Sequence, residues 1–327
     1  MKFQMTMIVI SFITTVVLAF IIIPILKKIK VGQIEREDGP QSHLKKQGTP
    51  TMGGIIFMIA IIICTTGVYM ILHLVGHSEV AQNLLPMLCL TIGFGIIGFI
   101  DDFKKLVLQN TEGLKPSYKM FGLLLISIAY TLFIIRFCNI GTDVYIPFFK
   151  ININLPLLVY IPFAILVILA TTNAINLTDG IDGLSSSVSA IIIATLTVVA
   201  MIQGKTEVTI FGNIVIGSVL GFLMFNLHPA RVFMGDTGSL FLGGVISSIA
   251  LYLKMPLLLL IIALVPILET LSVILQVVYF KITGGKRLFK MSPLHHHFEL
   301  SGWSENKVVI IFSVITLLVC VIGIFSV

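Results

Sequence analysis

A polytopic all-α membrane protein is the fold class this sequence predicts, and three observations carry it. Apolar runs of about 20 residues recur along the chain, the length a helix needs to cross hydrocarbon. Of the 327 residues, 57% are hydrophobic and only 11% are charged. Lysine and arginine gather in alternate loops, as they do on the cytoplasmic side of membrane proteins. The runs do not alternate polar and apolar residues over ten-residue stretches, which argues against a membrane barrel. One integral membrane domain over residues 1–327 is expected, with no soluble domain, long linker or internal repeat.

In chain order the predicted spans are residues 5–26, 52–72, 84–100, 120–137, 157–172, 186–201, 208–227, 240–253, 256–280 and 308–327, about ten transmembrane helices. The first is a poor signal peptide, because only Lys2 precedes a long apolar stretch and no small-x-small site follows. Assigning loops 1–2, 3–4, 5–6, 7–8 and 9–10 to the cytoplasm gives them 6, 4, 0, 1 and 5 basic residues, 16 of the 21. Both termini are therefore expected outside. Residues 140–156 alternate β-branched and polar residues around turn formers, which predicts a small outer β-hairpin. Pro256 and Pro266, with Glu269 and Gln276, interrupt the ninth run and predict a broken helix. Cys64, Cys89, Cys138 and Cys320 are scattered without a CxxC, which predicts buried thiols with neither disulfide nor zinc. The net charge of +6 suits loops facing anionic lipid and an anionic substrate, with no nucleic acid as a partner.

The polar motifs all fall on the predicted cytoplasmic side. Residues 171–185 read TTNAINLTDGIDGLS, with Asn173, Asn176, Asp179 and Asp182 at every third position. If the helix continues this far, the spacing places them on one face. Such groups beside a membrane run are costly unless paired, solvated or metal-bound; a polar interhelical loop is the plainer alternative. Four further clusters are KKQGTPTMGG (45–54), DDFKK (101–105) with Lys119, NLHPARVFMGDTGS (226–239) and PLHHHFE (293–299). Five clusters from five loops on one side point to one site. Its oxygen-rich, cysteine-free donors suit Mg²⁺, and phosphoryl transfer needs positioning and charge neutralisation above all. Consecutive side chains on a helix diverge by roughly 100°, so Asp101 and Asp102 should have different duties, unless they are simply a helix-end pair neutralised by Lys104 and Lys105. The three consecutive histidines lack the i,i+4 spacing of a helical zinc pair.

At these motifs the whole chain resembles the bacterial phospho-N-acetylmuramoyl-pentapeptide transferases, within the polyprenyl-phosphate N-acetylhexosamine-1-phosphate transferases. The adjacent aspartates and NxxD are common to the superfamily, whereas GTPTMGG, FMGDTGS and PLHHHFE point to the muramoyl branch. The resemblance implies transfer of phospho-MurNAc-pentapeptide from UDP-MurNAc-pentapeptide to undecaprenyl phosphate in the bacterial plasma membrane, at a cytoplasmic site. The products are lipid I and UMP, the cofactor is Mg²⁺, and a homodimer is a candidate assembly. Asp236 is then the foremost metal ligand, with Asp102 and Asp179 beside it. Asp101 takes the lipid phosphate, and His295 joins these four aspartates as a catalytic group. Lys46, Lys105 and Lys119 hold pyrophosphate charge. Asn173, Asn176, Asp182, Asn226, His296 and His297 contact substrate, and Phe233 stacks on uracil or packs as an apolar residue. The acceptor phosphate has a second pKa of about 6 by analogy with other phosphomonoesters, so a strong base is not compulsory. A transporter should hold its ionisable groups near the midplane, and a scaffold has no use for acidic motifs. A GlcNAc-1-phosphate transferase is the nearer alternative, and the triple-histidine loop discriminates against it.

Overall fold

The computed structural model describes residues 2–29, 48–106, 113–138 and 140–327. In chain order the helices are α1 (Lys2–Lys28), α2 (Gly54–Leu74), α3 (Ser78–Leu106), α4 (Pro116–Arg136), α5 (Leu157–Thr178), α6 (Leu184–Ile202), α7 (Thr206–Asn226), α8 (Gly235–Tyr252), α9 (Leu259–Ile262), α10 (Leu264–Ile282), α11 (Leu294–Glu299) and α12 (Glu305–Phe325). All except α8, α9 and α11 are long and apolar enough to cross a membrane, nine among the described residues. Nine predicted runs coincide with these helices, and the remaining one is α8. The protein is thus an all-α polytopic membrane protein with one small sheet.

Helix α8 explains its own composition. Every residue from Thr237 to Tyr252 is buried, and the helix packs against α3 and α5, with α2 and α6 alongside. Its surroundings are protein, so lipid-level hydropathy is not required and small residues are favoured at the close contacts. A Cβ on Gly243 would lie 2.5 Å from the Thr172 Cα of α5. Helix α1 is the opposite case: Val9, Ile13, Val17, Phe20 and Ile21 are exposed on its surface, as a lipid-facing helix requires.

The ninth run is broken, as its prolines predict. A 3₁₀ turn (Pro256–Leu258) leads into α9, the chain bends at Ala263, and α10 follows. Pro266 sits in the first turn of α10, where its missing N–H leaves no bond unmade. The hairpin also forms. Strand β1 (Asp143–Ile146) pairs antiparallel with β2 (Ile151–Asn154), Asp143 opposite Asn154 and Ile146 opposite Ile151. It docks on the bundle through Tyr145 N–H to Lys254 O (2.8 Å) and Phe148 N–H to Ser326 O (3.0 Å).

Two expectations need correction. Helix α5 ends at Thr178 with Asp179 as its cap, so only Asn173 and Asn176 lie on the helix, and Asp182 sits in the turn beyond. Gly180 and the left-handed Gly183 (φ 76°) turn the chain before Asp179 and Asp182 can share a helical face with the amides. All four thiols are free, but Cys89 is exposed on α3 and Cys138 half-buried; a thiol facing lipid costs nothing that burial would save.

Candidate active site

The site is built where the C-terminal ends of α3, α5 and α7 meet the N-terminal ends of α4 and α8. Helix α3 runs one turn past the adjacent aspartates, so Asp101 and Lys105 become an i,i+4 pair on one face. Lys105 Nζ lies 2.6 Å from Asp101 Oδ2 and 3.0 Å from Asp236 Oδ2. Lys119, in the first turns of α4, lies 2.9 Å from Asp236 Oδ2 and 3.7 Å from Asp101 Oδ2. The Leu114 amide donates to the other Asp101 oxygen at 2.7 Å. Asn176 of α5 donates to Asp236 Oδ1 and to Ser239 Oγ, each at 2.8 Å. Two aspartates from helices 135 positions apart in sequence therefore share two lysines.

Asp102 points elsewhere, as adjacent helical positions must. It is buried, and its oxygens accept the Asp236 N–H (3.1 Å), the Thr237 N–H (2.9 Å) and the Thr237 hydroxyl (2.6 Å). These are orphan donors of the α8 N-terminus, so Asp102 caps a helix that is not its own and meets the positive end of its dipole. Two glycines permit the approach. A Cβ on Gly98 would stand 2.2 Å from the Asp236 carbonyl oxygen, and one on Gly54 2.3 Å from Gly238 Cα. The GTPTMGG segment is fastened to the same end: Phe233 N–H bonds Pro50 O (2.8 Å), Gly53 N–H bonds Phe233 O (2.8 Å) and Gly54 N–H bonds Met234 O (2.9 Å). Asn226 braces this loop from below, donating to Val232 O at 3.0 Å and accepting from Ser186 Oγ at 2.7 Å.

Asp179 differs from these three aspartates. Its carboxylate makes no hydrogen bond or ion pair among the described residues. Burial, and then the charges of Asp236, Asp102 and Asp182, push its pKa well above the ordinary carboxylate value. Asp101, Asp102 and Asp236 against Lys105 and Lys119 leave one negative charge over, and Asp179 adds a fourth carboxyl group that a bound cation would ionise. An oxygen-only donor set with surplus negative charge and one uncommitted carboxylate fits a hard divalent cation. A second group lies at the α12 end. Asp182 Oδ2 accepts from His228 Nδ1 (3.0 Å) and the Ala230 N–H (3.1 Å). Glu305 Oε2 lies 3.7 Å from the same His228 nitrogen. Among the described residues this is the one Asp/His/Glu group whose ligand atoms lie within 4.8 Å of one another.

The histidines occupy α11 and diverge. His295 is fully buried. Its backbone N–H and its Nδ1 both reach the carboxylate of Glu269, at 3.2 and 3.1 Å. A carboxylate is an acceptor only, so Nδ1 carries the proton and Nε2 faces away. Among the described residues that Nε2 has no hydrogen-bond partner, and it abuts Gly180, where a Cβ would clash with it. His296 Nδ1 donates to Glu299 at 2.9 Å, and His297 Nδ1 accepts the Lys290 N–H at 3.1 Å.

The structure thus gathers Asp101, Asp102, Asp236, Lys105, Lys119 and Asn176 into one network and sets His295 against the loop that carries Asp179. Asn173 bonds back to Leu169 O at 2.7 Å, and Phe233 is half-buried. Lys46 lies outside the described residues. Glu269 is the residue that sequence reasoning missed; an acid inside an apolar, Pro-broken run was its signal.

A bundle of membrane helices with a lysine-bridged carboxylate cluster at one end is an arrangement suited to an integral membrane enzyme that handles phosphates, and the family match places it among the glycosyl transferases. A glycosyl transferase family 4 model matches residues 84–254, and a phospho-N-acetylmuramoyl-pentapeptide-transferase signature matches residues 46–58. Curated relatives of that description come from Acetivibrio thermocellus (46% identical over 97% of this chain and 93% of the relative) and Clostridium botulinum strain Alaska E43 (49%, over 96% and 93%). Another comes from Halalkalibacterium halodurans (46%, over 97% and 95%). The chain belongs to the phospho-N-acetylmuramoyl-pentapeptide transferase family.

Proposed function

We propose that the protein transfers phospho-MurNAc-pentapeptide from UDP-MurNAc-pentapeptide to undecaprenyl phosphate, giving lipid I and UMP in peptidoglycan synthesis. The observation that carries this reading is the sharing of Lys105 and Lys119 between Asp101 and Asp236 at the lipid-crossing end of α3. An oxygen of the acceptor phosphate attacks the sugar-bearing phosphorus, and the bond to the UMP oxygen breaks. Lys105 and Lys119 neutralise the phosphates, which is the main demand of the reaction. Asp101 and Asp236 fix where those ammonium groups stand, and Asn176 fixes Asp236. Asp102 holds the α8 N-terminus in register with α3, so its role is positioning. Glu269 is likewise a positioning residue, setting the His295 tautomer. The residues suited to Mg²⁺ are Asp236 and Asp179, and the ion when bound supplies further charge neutralisation on the phosphates. The bias of basic residues supports a cytoplasmic site with both termini outside the bacterial plasma membrane. The test is UMP release in detergent. UDP-MurNAc-pentapeptide is used far better than UDP-GlcNAc, and excess EDTA stops turnover. Equal use of both sugars rejects the muramoyl reading.

A further inference from the structure

The opposite end of the bundle holds a separate polar cavity of about 920 Å³. Its walls come from the first turn of α3, the turn between α6 and α7, the end of α8 and strand β1. From Glu79 on this wall to Asp101 in the candidate active site is 22 helical residues, about 33 Å at 1.5 Å per residue. The two places do not share a substrate-sized ligand.

Glu207 is the informative group. It lines the cavity and is only 9% exposed, yet its carboxylate makes no hydrogen bond or ion pair among the described residues. Its place in the first turn of α7 lets the helix dipole offset part of the charge. The rest of its solvation comes through the cavity it lines, so its oxygens face that space and not a protein donor. The lysines on the wall do not supply one. Lys254 is committed to Asp143 at 2.8 Å, and Lys205 is exposed and pairs with no carboxylate among the described residues. Glu79 adds a second, exposed carboxylate to the rim. Among the described residues, one space is therefore lined by a mostly buried carboxylate that no donor reaches and an exposed ammonium that no anion reaches. Ile202 and Leu253 give it an apolar side at the membrane end of the helices.

We infer that this cavity binds a zwitterion that carries a primary ammonium a few bonds from a phosphate, the chemistry of phosphoethanolamine. The ammonium bonds Glu207 with Glu79 nearby, and the phosphate meets Lys205. A primary ammonium has three N–H donors for a buried carboxylate. Phosphocholine has the same charges and no such donor, so it is the natural control.

The experiment uses the full chain in nanodiscs of equal phosphatidylethanolamine and phosphatidylcholine, with retained lipid read by native mass spectrometry. The wild type retains phosphatidylethanolamine over phosphatidylcholine by about tenfold, the ratio one good charged contact supplies. Glu207→Gln, nearly isosteric, brings the ratio near one, and Lys205→Gln lowers it severalfold. Transfer activity, read alongside, is unchanged in both. Millimolar glycerophosphoethanolamine separates the sources. Displacement of the lipid identifies a soluble ligand that competes for the cavity; a Glu207-dependent preference without displacement identifies the membrane headgroup. Equal retention of the two lipids by the wild type overturns the inference, as does an unchanged preference in Glu207→Gln. Should Glu207→Gln lose its helical circular dichroism, Lys205→Gln decides: a surface change that leaves the preference intact overturns the phosphate contact and with it the zwitterion.

Discussion

At one end of the bundle Asp236 shares its carboxylate with Lys105, Lys119 and Asn176. At the other, Asp143 meets one lysine and one amide, Lys254 and Asn154, on the surface. The two aspartates make contacts of similar length, 2.8 to 3.0 Å. Their side chains are 19% and 35% exposed, and their partners differ more than their exposure does. Every group around Asp236 is itself held by a second group, whereas the two side chains that meet Asp143 have no second partner behind them among the described residues. Contact distance alone does not mark a working site; the depth of the network behind each contact does.

The largest effect that sharpens this contrast is expected at Asp236. Asp236→Asn removes the charge that two lysines share and should lower UMP release on the order of 10²- to 10³-fold. The protein should still purify as a folded, helical species. A variant with more than a tenth of wild-type turnover would break the comparison. Next is Glu269→Gln, which keeps the volume of the side chain but lets an amide present N–H to His295. Loss of a partner that orients an imidazole costs roughly 10- to 100-fold, and here the fall should lie in kcat with KM nearly kept. It should come with a changed pH profile; a lower melting temperature with an unchanged profile would make the pair merely structural. His296→Ala should lower kcat/KM for the muramoyl substrate about tenfold, close to 1.4 kcal/mol. An unaffected enzyme returns His296 to a helix-surface residue paired with Glu299.

The smallest effect is expected at Asp143. Hydrogen bonds from Asn154 and Lys254, and the Lys254 charge, hold its pKa below the ordinary carboxylate value. The folded state thus favours the ionised form. Its contribution is present above the unfolded pKa, about 3.9, and is lost as pH falls through the lower folded value. Exposed pairs of this kind contribute about 0–1 kcal/mol. Asp143→Asn should leave transfer unchanged at neutral pH and shift thermal stability slightly, with no shift left in strong acid. A large loss of activity would show that the hairpin end is coupled to the chemistry.

The apolar runs, the broken ninth helix and the hairpin were legible because each rests on local periodicity or on proline. So were the five polar motifs, since charged groups at a membrane edge stand out against a 57% hydrophobic chain. What each motif does was legible only in part. Asp102 reads as a site acid, yet its oxygens cap α8 across 134 positions of sequence, and nothing local announces a borrowed cap. Asn226 reads as a substrate contact, and its bracing of its own loop through Ser186 and Val232 was not legible. Glu269 reads as an irregularity in an apolar run until α11 folds back to place His295 against it. These roles depend on which distant elements meet, and helical periodicity carries no such information.

The enclosure of α8 has a consequence for how the protein is made. Its 18 residues are not among the segments apolar enough to cross a bilayer on their own account. A nascent segment of that kind partitions from the translocon into lipid less readily than the nine more apolar helices do. Its stable seat is the groove between α3 and α5, which are synthesised earlier. Insertion of α8 is therefore an act of assembly, guided by protein surfaces already in the membrane. Mutations in the lining of that groove would register first as molecules discarded during biogenesis, before any finished enzyme could be assayed.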